Sequence, residues 1–96
     1  MRETFYQEAK ETKQEQLLLT TAVAQEKNTI LNAYDIVNIV AHLDFINVMS
    51  YDYHGSWDSK CGHNSPLYAA RGADEKDQTL TVDWTIRLYL TLGNLN

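Results

Sequence analysis

The sequence predicts an α/β fold in which two parallel strands alternate with helices, and three observations carry that expectation. Leu17 to Val23 is an unbroken apolar and β-branched run, Leu-Leu-Leu-Thr-Thr-Ala-Val, the pattern of a strand covered by helices on both faces. Phe45 to Tyr53 is a second such run, and it starts 28 positions after Leu17, close to the roughly 30 residues of a strand-helix-strand unit. Between the two, apolar residues recur at helical steps.

Thr4 to Gln16 reads as the end of an exposed helix. It is rich in good helix formers (Glu8, Ala9, Lys10, Glu11, Lys13, Gln14), and Phe5, Tyr6 and Ala9 supply only a thin apolar stripe. After the first strand, Leu17 to Val23, Asn28 or Thr29 can cap a second helix. Its apolar positions, Ile30, Leu31, Ala33, Tyr34, Ile36, Val37, Ile39 and Val40, run through to His42 with a break near Tyr34-Asp35. The second strand, Phe45 to Tyr53, gives way to a long irregular connection containing Gly55, Gly62, Pro66 and Gly72. Loops of that length in compact domains are usually functional or disordered. Thr81 can cap a final helix with Asp83 in its first turn. Val82, Ile86, Tyr89 and Leu90 lie on one side of it, and Gly93 stops it. No repeat and no low-complexity tract interrupts this order. Both strands have outer edges with nothing in the sequence to pair with, so the expectation is a slice of a larger sheet or barrel.

Composition narrows the function classes. The 96 residues carry 13 acidic and 8 basic side chains, a formal charge of -5, which draws in neither nucleic acid nor anionic lipid over long range. The apolar runs are far shorter than the roughly 20 residues that span a bilayer. Met1 is followed by Arg2-Glu3-Thr4 and a polar stretch, which is not the basic start and apolar core of a secretory signal. Cys61 is the single cysteine and has no internal disulfide partner. Neither cofactor, metal nor protein partner is expected.

The stretch Phe45-Ile46-Asn47-Val48-Met49-Ser50-Tyr51-Asp52-Tyr53-His54-Gly55-Ser56-Trp57 closely resembles the sixth barrel strand and following loop of animal family 18 glycoside hydrolases, the chitinases, in which Met-x-Tyr-Asp is a signature. The likeness continues through Gly62-His63-Asn64-Ser65-Pro66-Leu67-Tyr68 and Val82-Asp83-Trp84, and back through Leu17 to Val23 and Tyr34-Asp35-Ile36. It covers the chain from about Phe5 to Gly93. The resemblance implies a partial (β/α)8 TIM barrel running from the fourth helix to the sixth, about two strand-helix units and a quarter of the barrel, so residues 1–96 would be part of a family 18 catalytic domain. It further implies an extracellular parent protein that acts on chitin or N-acetylglucosamine oligosaccharides.

Barrel ligand sites sit at the C-terminal ends of the strands, where Met49 to Asp52 fall. Tyr51 brings a hydroxyl donor, Asp52 an acceptor for sugar hydroxyls or amides, and Met49 a soft apolar floor for a pyranose ring. By resemblance these three line the subsite of the cleaved N-acetylglucosamine, with Tyr51 holding the acetamido group. Trp57 would stack on a sugar across the scissile bond. Taken singly, Met49 and Tyr51 are ordinary strand packing, Asp52 a turn or capping residue and Trp57 an exposed packing residue; the motif spacing is what raises them above that. His54, Cys61 and His63 with Asp52 or Asp58 have the donor types of a zinc site but none of its usual spacings, and they read as loop residues, with His54 bonded to nearby backbone. Asp74-Glu75-Lys76-Asp77 reads as a solvated loop face.

In the family, the substrate's acetamido oxygen attacks the anomeric carbon while a glutamic acid protonates the leaving oxygen, an exception to the two-carboxylate scheme. That acid closes an Asp-x-x-Asp-x-Asp-x-Glu motif on the fourth strand, and the motif does not occur in these 96 residues. Val82-Asp83-Trp84 has Thr85 where the acid would stand, so Asp83 is not a catalytic candidate. The resemblance therefore implies an inactive segment of a chitinase, or of a chitinase-like lectin that binds the same sugar without cutting it. A free-standing small α/β protein that assembles through its apolar edges is the third reading.

Overall fold

A computed structural model describes residues 1–94. Four helices and two strands follow one another as α1 (Arg2–Thr12), β1 (Thr20–Val23), α2 (Lys27–Ala33), α3 (Ile36–Val40), β2 (Phe45–Val48) and α4 (Val82–Leu92), with a 3₁₀ turn at Asp77–Thr79 before α4. The strands pair in parallel, Thr20 opposite Phe45 through Val23 opposite Val48, and the α2–α3 crossover joins them as a parallel pair requires.

The expected strands are shorter than their apolar runs. β1 begins at Thr20 because no strand lies opposite Leu17 and Leu18, which are 55% and 66% exposed. Leu19 is tied at the strand's threshold: Asp44 N–H donates to Leu19 O (2.8 Å), and Leu19 N–H donates to the Asp44 carboxylate (2.8 Å). β2 ends at Val48. Met49 N–H still donates to Val23 O (2.9 Å), but Ser50 and Tyr51 then donate back to Val48 O and Met49 O, each at 2.8 Å. Two successive three-residue turns thus replace the expected strand through Tyr53.

Coverage on both faces also needs correction within this chain. Val23, Ile30, Ile36 and Tyr89 form the core, and Ile46, Val48, Tyr34, Val40, Leu88 and Leu92 pack against it. Side chains alternate across a strand, so the opposite face, which carries Phe45 at 52% exposure, stays bare among the described residues.

The helix break near Tyr34-Asp35 is present. Tyr34 is extended (φ -119°, ψ 132°), and Asp35 caps α3 by accepting from Asn38 N–H. The break lets the Tyr34 hydroxyl accept from Ala24 N–H (3.2 Å), at the end of β1. The cap of α2, however, is Glu26 rather than Asn28 or Thr29. Its two carboxylate oxygens accept from Asn28 N–H (3.0 Å) and Thr29 N–H (2.8 Å), placing both residues inside the first turn. These bonds, that from Asn28 first, hold the Glu26 carboxyl below its ordinary range.

Thr81 caps α4 by accepting from Trp84 N–H (3.2 Å), and Gly93 closes it. The buried face differs from expectation: Thr85 and Tyr89 lie at its centre, flanked by Leu88 and Leu92, whereas Leu90 is 37% exposed. A threonine occupies the centre because its hydroxyl, with that of Tyr89, meets the carbonyls just past β1, those of Gln25 and Ala24.

α1 buries no side chain. Its link to the sheet is Arg2, whose guanidinium grips Asp44 in a two-pronged contact (2.5 and 2.9 Å). The Arg2 contact, followed by the Leu19 N–H, draws the Asp44 carboxyl down to about 2. A depressed folded-state value means that stability from this pair is present above the ordinary carboxylate value of about 3.9 and is lost as pH falls from there through about 2. A carboxyl titration by NMR should give Asp44 a midpoint near 2, returning toward about 3.9 in Arg2→Ala. An ordinary midpoint in the unsubstituted chain would remove this tether.

Candidate functional site

The segments leaving β1 and β2 are locked together by side chains from α4. Tyr89 OH donates to Ala24 O (2.5 Å), Thr85 Oγ1 donates to Gln25 O (3.0 Å), and Tyr53 OH donates to Thr85 Oγ1 (2.7 Å). Burial pushes the Tyr89 hydroxyl above its ordinary range. Gln25 then reaches across, its Nε2 donating to Tyr51 O (2.8 Å). Ser65 Oγ donates to Ser50 O (2.5 Å). The backbone from Ser50 to Tyr51 is thereby held from two directions.

Asp52 takes the left-handed conformation, φ 59°, a region that Asp and Asn visit more readily than other non-glycine residues. Asn64 Nδ2 donates to Asp52 Oδ1 (3.0 Å), and the Tyr53 N–H donates to Asn64 O (2.9 Å). Backbone strain persists where surrounding contacts over-determine it, and it gathers at ligand sites.

Asp52 and Trp57 line a cleft of about 920 Å³, together with Gln25, Glu26, Gln78 and Trp84 among others. Trp57 is 66% exposed. Met49 and Tyr51 do not line this cleft; Tyr51 is 51% exposed and Met49 half-buried. The site residues read from the sequence thus divide into a pair on the cleft and a pair beside it, joined by the fixed backbone of residues 49–52.

Gln25 and Asn64 were not anticipated as site residues. Gln25 was findable, because it lies just past the C-terminal end of a parallel strand, where barrel sites gather. Asn64 lies in the stretch that carries the resemblance, but nothing there marked it for this role, which depends on a chain reversal between residues 52 and 64. Trp84 lines the cleft with Lys27 Nζ 5.9 Å from its ring centroid, although its sequence context suggested only a helix start. His54 bonds the Asp58 carboxylate (3.2 Å) rather than backbone. Among the described residues, no three of His, Cys, Asp and Glu come together as metal ligands. No helix among them is long and apolar enough to cross a membrane.

The sequence matches the model of the glycosyl hydrolases family 18 over residues 1–95. The chain belongs to glycosyl hydrolase family 18. Among its relatives, probable chitinase 2 of Drosophila melanogaster is 42% identical over 96 residues, covering 96% of this chain and 19% of that protein. Chitotriosidase-1 of Mus musculus is 39% identical over 89 residues, 93% of this chain and 19% of its own length. Among solved structures, human YKL-39, described as a pseudo-chitinase with retained chitooligosaccharide-binding properties, superposes with a TM-score of 0.90 at 32% identity, covering 96% of this chain and 26% of that one. The chain spans about a fifth of the length of these curated relatives. Its two parallel strands and four helices correspond to part of the family's α/β barrel.

Proposed function

We propose that residues 1–96 form the sugar-holding part of a family 18 catalytic domain from a secreted protein that binds and hydrolyses β-1,4-linked N-acetylglucosamine chains by substrate assistance. The observation that carries this reading is Met49-Ser50-Tyr51-Asp52 at the C-terminal end of β2, with the Tyr51 carbonyl and the left-handed Asp52 each fixed by a side chain from elsewhere in the chain. Fixed placement is what substrate-assisted chemistry asks of a protein. The nucleophile belongs to the sugar, and holding it against the anomeric carbon replaces a costly encounter. Met49, Tyr51 and Asp52 line the subsite of the cleaved sugar, and Trp57 meets the sugar beyond the scissile bond.

These 96 residues contain no Asp-x-x-Asp-x-Asp-x-Glu sequence, and general acid catalysis supplies about 10²–10⁴-fold. The chain alone is therefore expected to leave chitin oligosaccharides uncut. Grafted in place of the matching segment of an active family 18 chitinase, which brings the acid, it should restore turnover. Turnover by the chain alone above a Tyr51→Phe control, or a folded graft that neither binds nor cleaves the oligosaccharide, would contradict the proposal. A second reading has its own support: the likeness to YKL-39, a pseudo-chitinase, favours a sugar-binding parent that does not cut. The identity of the residue at the acid position separates the two, because both readings require the same holding residues here.

A further inference from the structure

We infer that Gly55, His54 and Asp58 are positioning residues that set the plane of the Trp57 indole, so that the aromatic wall of the cleft is prebuilt rather than recruited by the sugar. This rests on the reading of Trp57 as a sugar platform. Trp57 stands in a four-residue turn in which Asp58 N–H donates to Gly55 O (3.0 Å), while the Asp58 carboxylate accepts from Gly55 N–H (3.1 Å). The turn is thus closed from both ends.

His54 adds a third fastening, with Nδ1 3.2 Å from the same carboxylate oxygen. An ionised carboxylate only accepts, so Nδ1 carries the proton in this contact. His54 and Asp58 are shielded, their side chains 15% and 23% exposed, whereas Trp57 itself is 66% exposed. The fastening is therefore better covered than the residue it presents.

Two glycines show how closely the parts fit. A methyl group on Gly55 would fall within 2.8 Å of Trp57 Cε3 and nearer still to two other ring atoms. The indole therefore lies against the Gly55 α-carbon. On the far side of the unit, a methyl group on Gly62 would come within 2.7 Å of His54 Nδ1, so the imidazole is seated on Gly62 in the same way. Neither glycine has a left-handed φ. Close approach, rather than backbone freedom, is what requires them. Asn64 Nδ2, which donates to Asp52, also donates to the His54 backbone carbonyl (3.3 Å), so the tie to Asp52 runs through backbone and does not depend on the His54 imidazole.

The test uses the graft in an active family 18 chitinase and two substrates. One carries an N-acetylglucosamine unit on the leaving side of the scissile bond; the other carries a small aryl leaving group that has no sugar to stack on Trp57. Gly55→Ala and His54→Ala should each raise KM about tenfold for the first substrate, as Trp57→Ala does, and leave kcat and KM for the aryl glycoside within about twofold. In a Trp57→Ala background, both should lose their effect. His54→Asn, whose amide can replace Nδ1–H, should keep most of the affinity. If Trp57→Ala discriminates between the substrates and the Gly55 and His54 variants do not, the inference is overturned. It is likewise overturned if those variants damage both substrates equally or act unchanged without Trp57. If Trp57→Ala itself makes no distinction, the platform reading fails first.

Discussion

Replacing Tyr51 with phenylalanine in the grafted chitinase is expected to lower kcat on chitin oligosaccharides by about 10²-fold, with a smaller change in KM. The substitution keeps the ring and removes one hydroxyl. In the proposed mechanism that hydroxyl donates to the acetamido oxygen, which must lie against the anomeric carbon before the glycosidic bond breaks. Misplacement by about 1 Å at such a point can cost on the order of 10²-fold. The backbone beneath the side chain is held rigidly. Gln25 Nε2 donates to the Tyr51 carbonyl at 2.8 Å, Ser65 holds Ser50, and Asn64 holds the left-handed Asp52. A Tyr51→Phe graft with undiminished kcat would show that the hydroxyl takes no part.

The second large effect is on stability. Thr85→Val is expected to destabilise by about 2–4 kcal/mol, because the buried hydroxyl serves two partners at once. Thr85 is fully buried, and its Oγ1 accepts from Tyr53 OH and donates to Gln25 O. Valine matches its shape but leaves the hydroxyl of Tyr53, itself 3% exposed, and the carbonyl of Gln25, just past β1, without their partner. A buried orphan such as the Tyr53 hydroxyl costs about 1–3 kcal/mol, and the part-buried Gln25 carbonyl adds less. Thr85→Ser keeps the oxygen and should lose less than about 1.5 kcal/mol, the cost of one methyl group. Apparent melting temperatures of the graft and its two variants measure the difference. A valine variant as stable as the serine variant would mean that packing, not the hydroxyl relay, holds α4 to the strand ends.

The order of elements was legible because it rests on periodicity. Val23, Ile30 and Ile36 entered the core as their spacing predicts, and the break at Tyr34-Asp35 occurs where the apolar pattern faltered. Strand ends were not legible. Leu17 and Leu18 have strand composition but no strand opposite them, and pairing, unlike composition, is not local. The face of α4 was misread for a related reason. Hydropathy ranks Leu90 above Thr85, yet Thr85 is buried because two partners distant in sequence require its oxygen.

The site divided along the same line. Met49, Tyr51, Asp52 and Trp57 stood out because the stretch that holds them resembles the family's motif, and such a likeness is displayed by contiguous residues. Gln25 and Asn64 fix the backbone around that motif from 26 residues before Tyr51 and 12 residues after Asp52. Such contacts become visible only once the chain has folded back on itself.

Whether this segment holds the sugar in a family 18 site is decided by a crystal structure of the graft bound to a chitin oligosaccharide after the host's acid is changed to glutamine. An acetamido oxygen is expected within hydrogen-bonding distance of the Tyr51 hydroxyl, with a sugar group bonded to Asp52 and a pyranose ring against Trp57. An oligosaccharide bound in the barrel without touching Tyr51 or Asp52 would contradict that expectation.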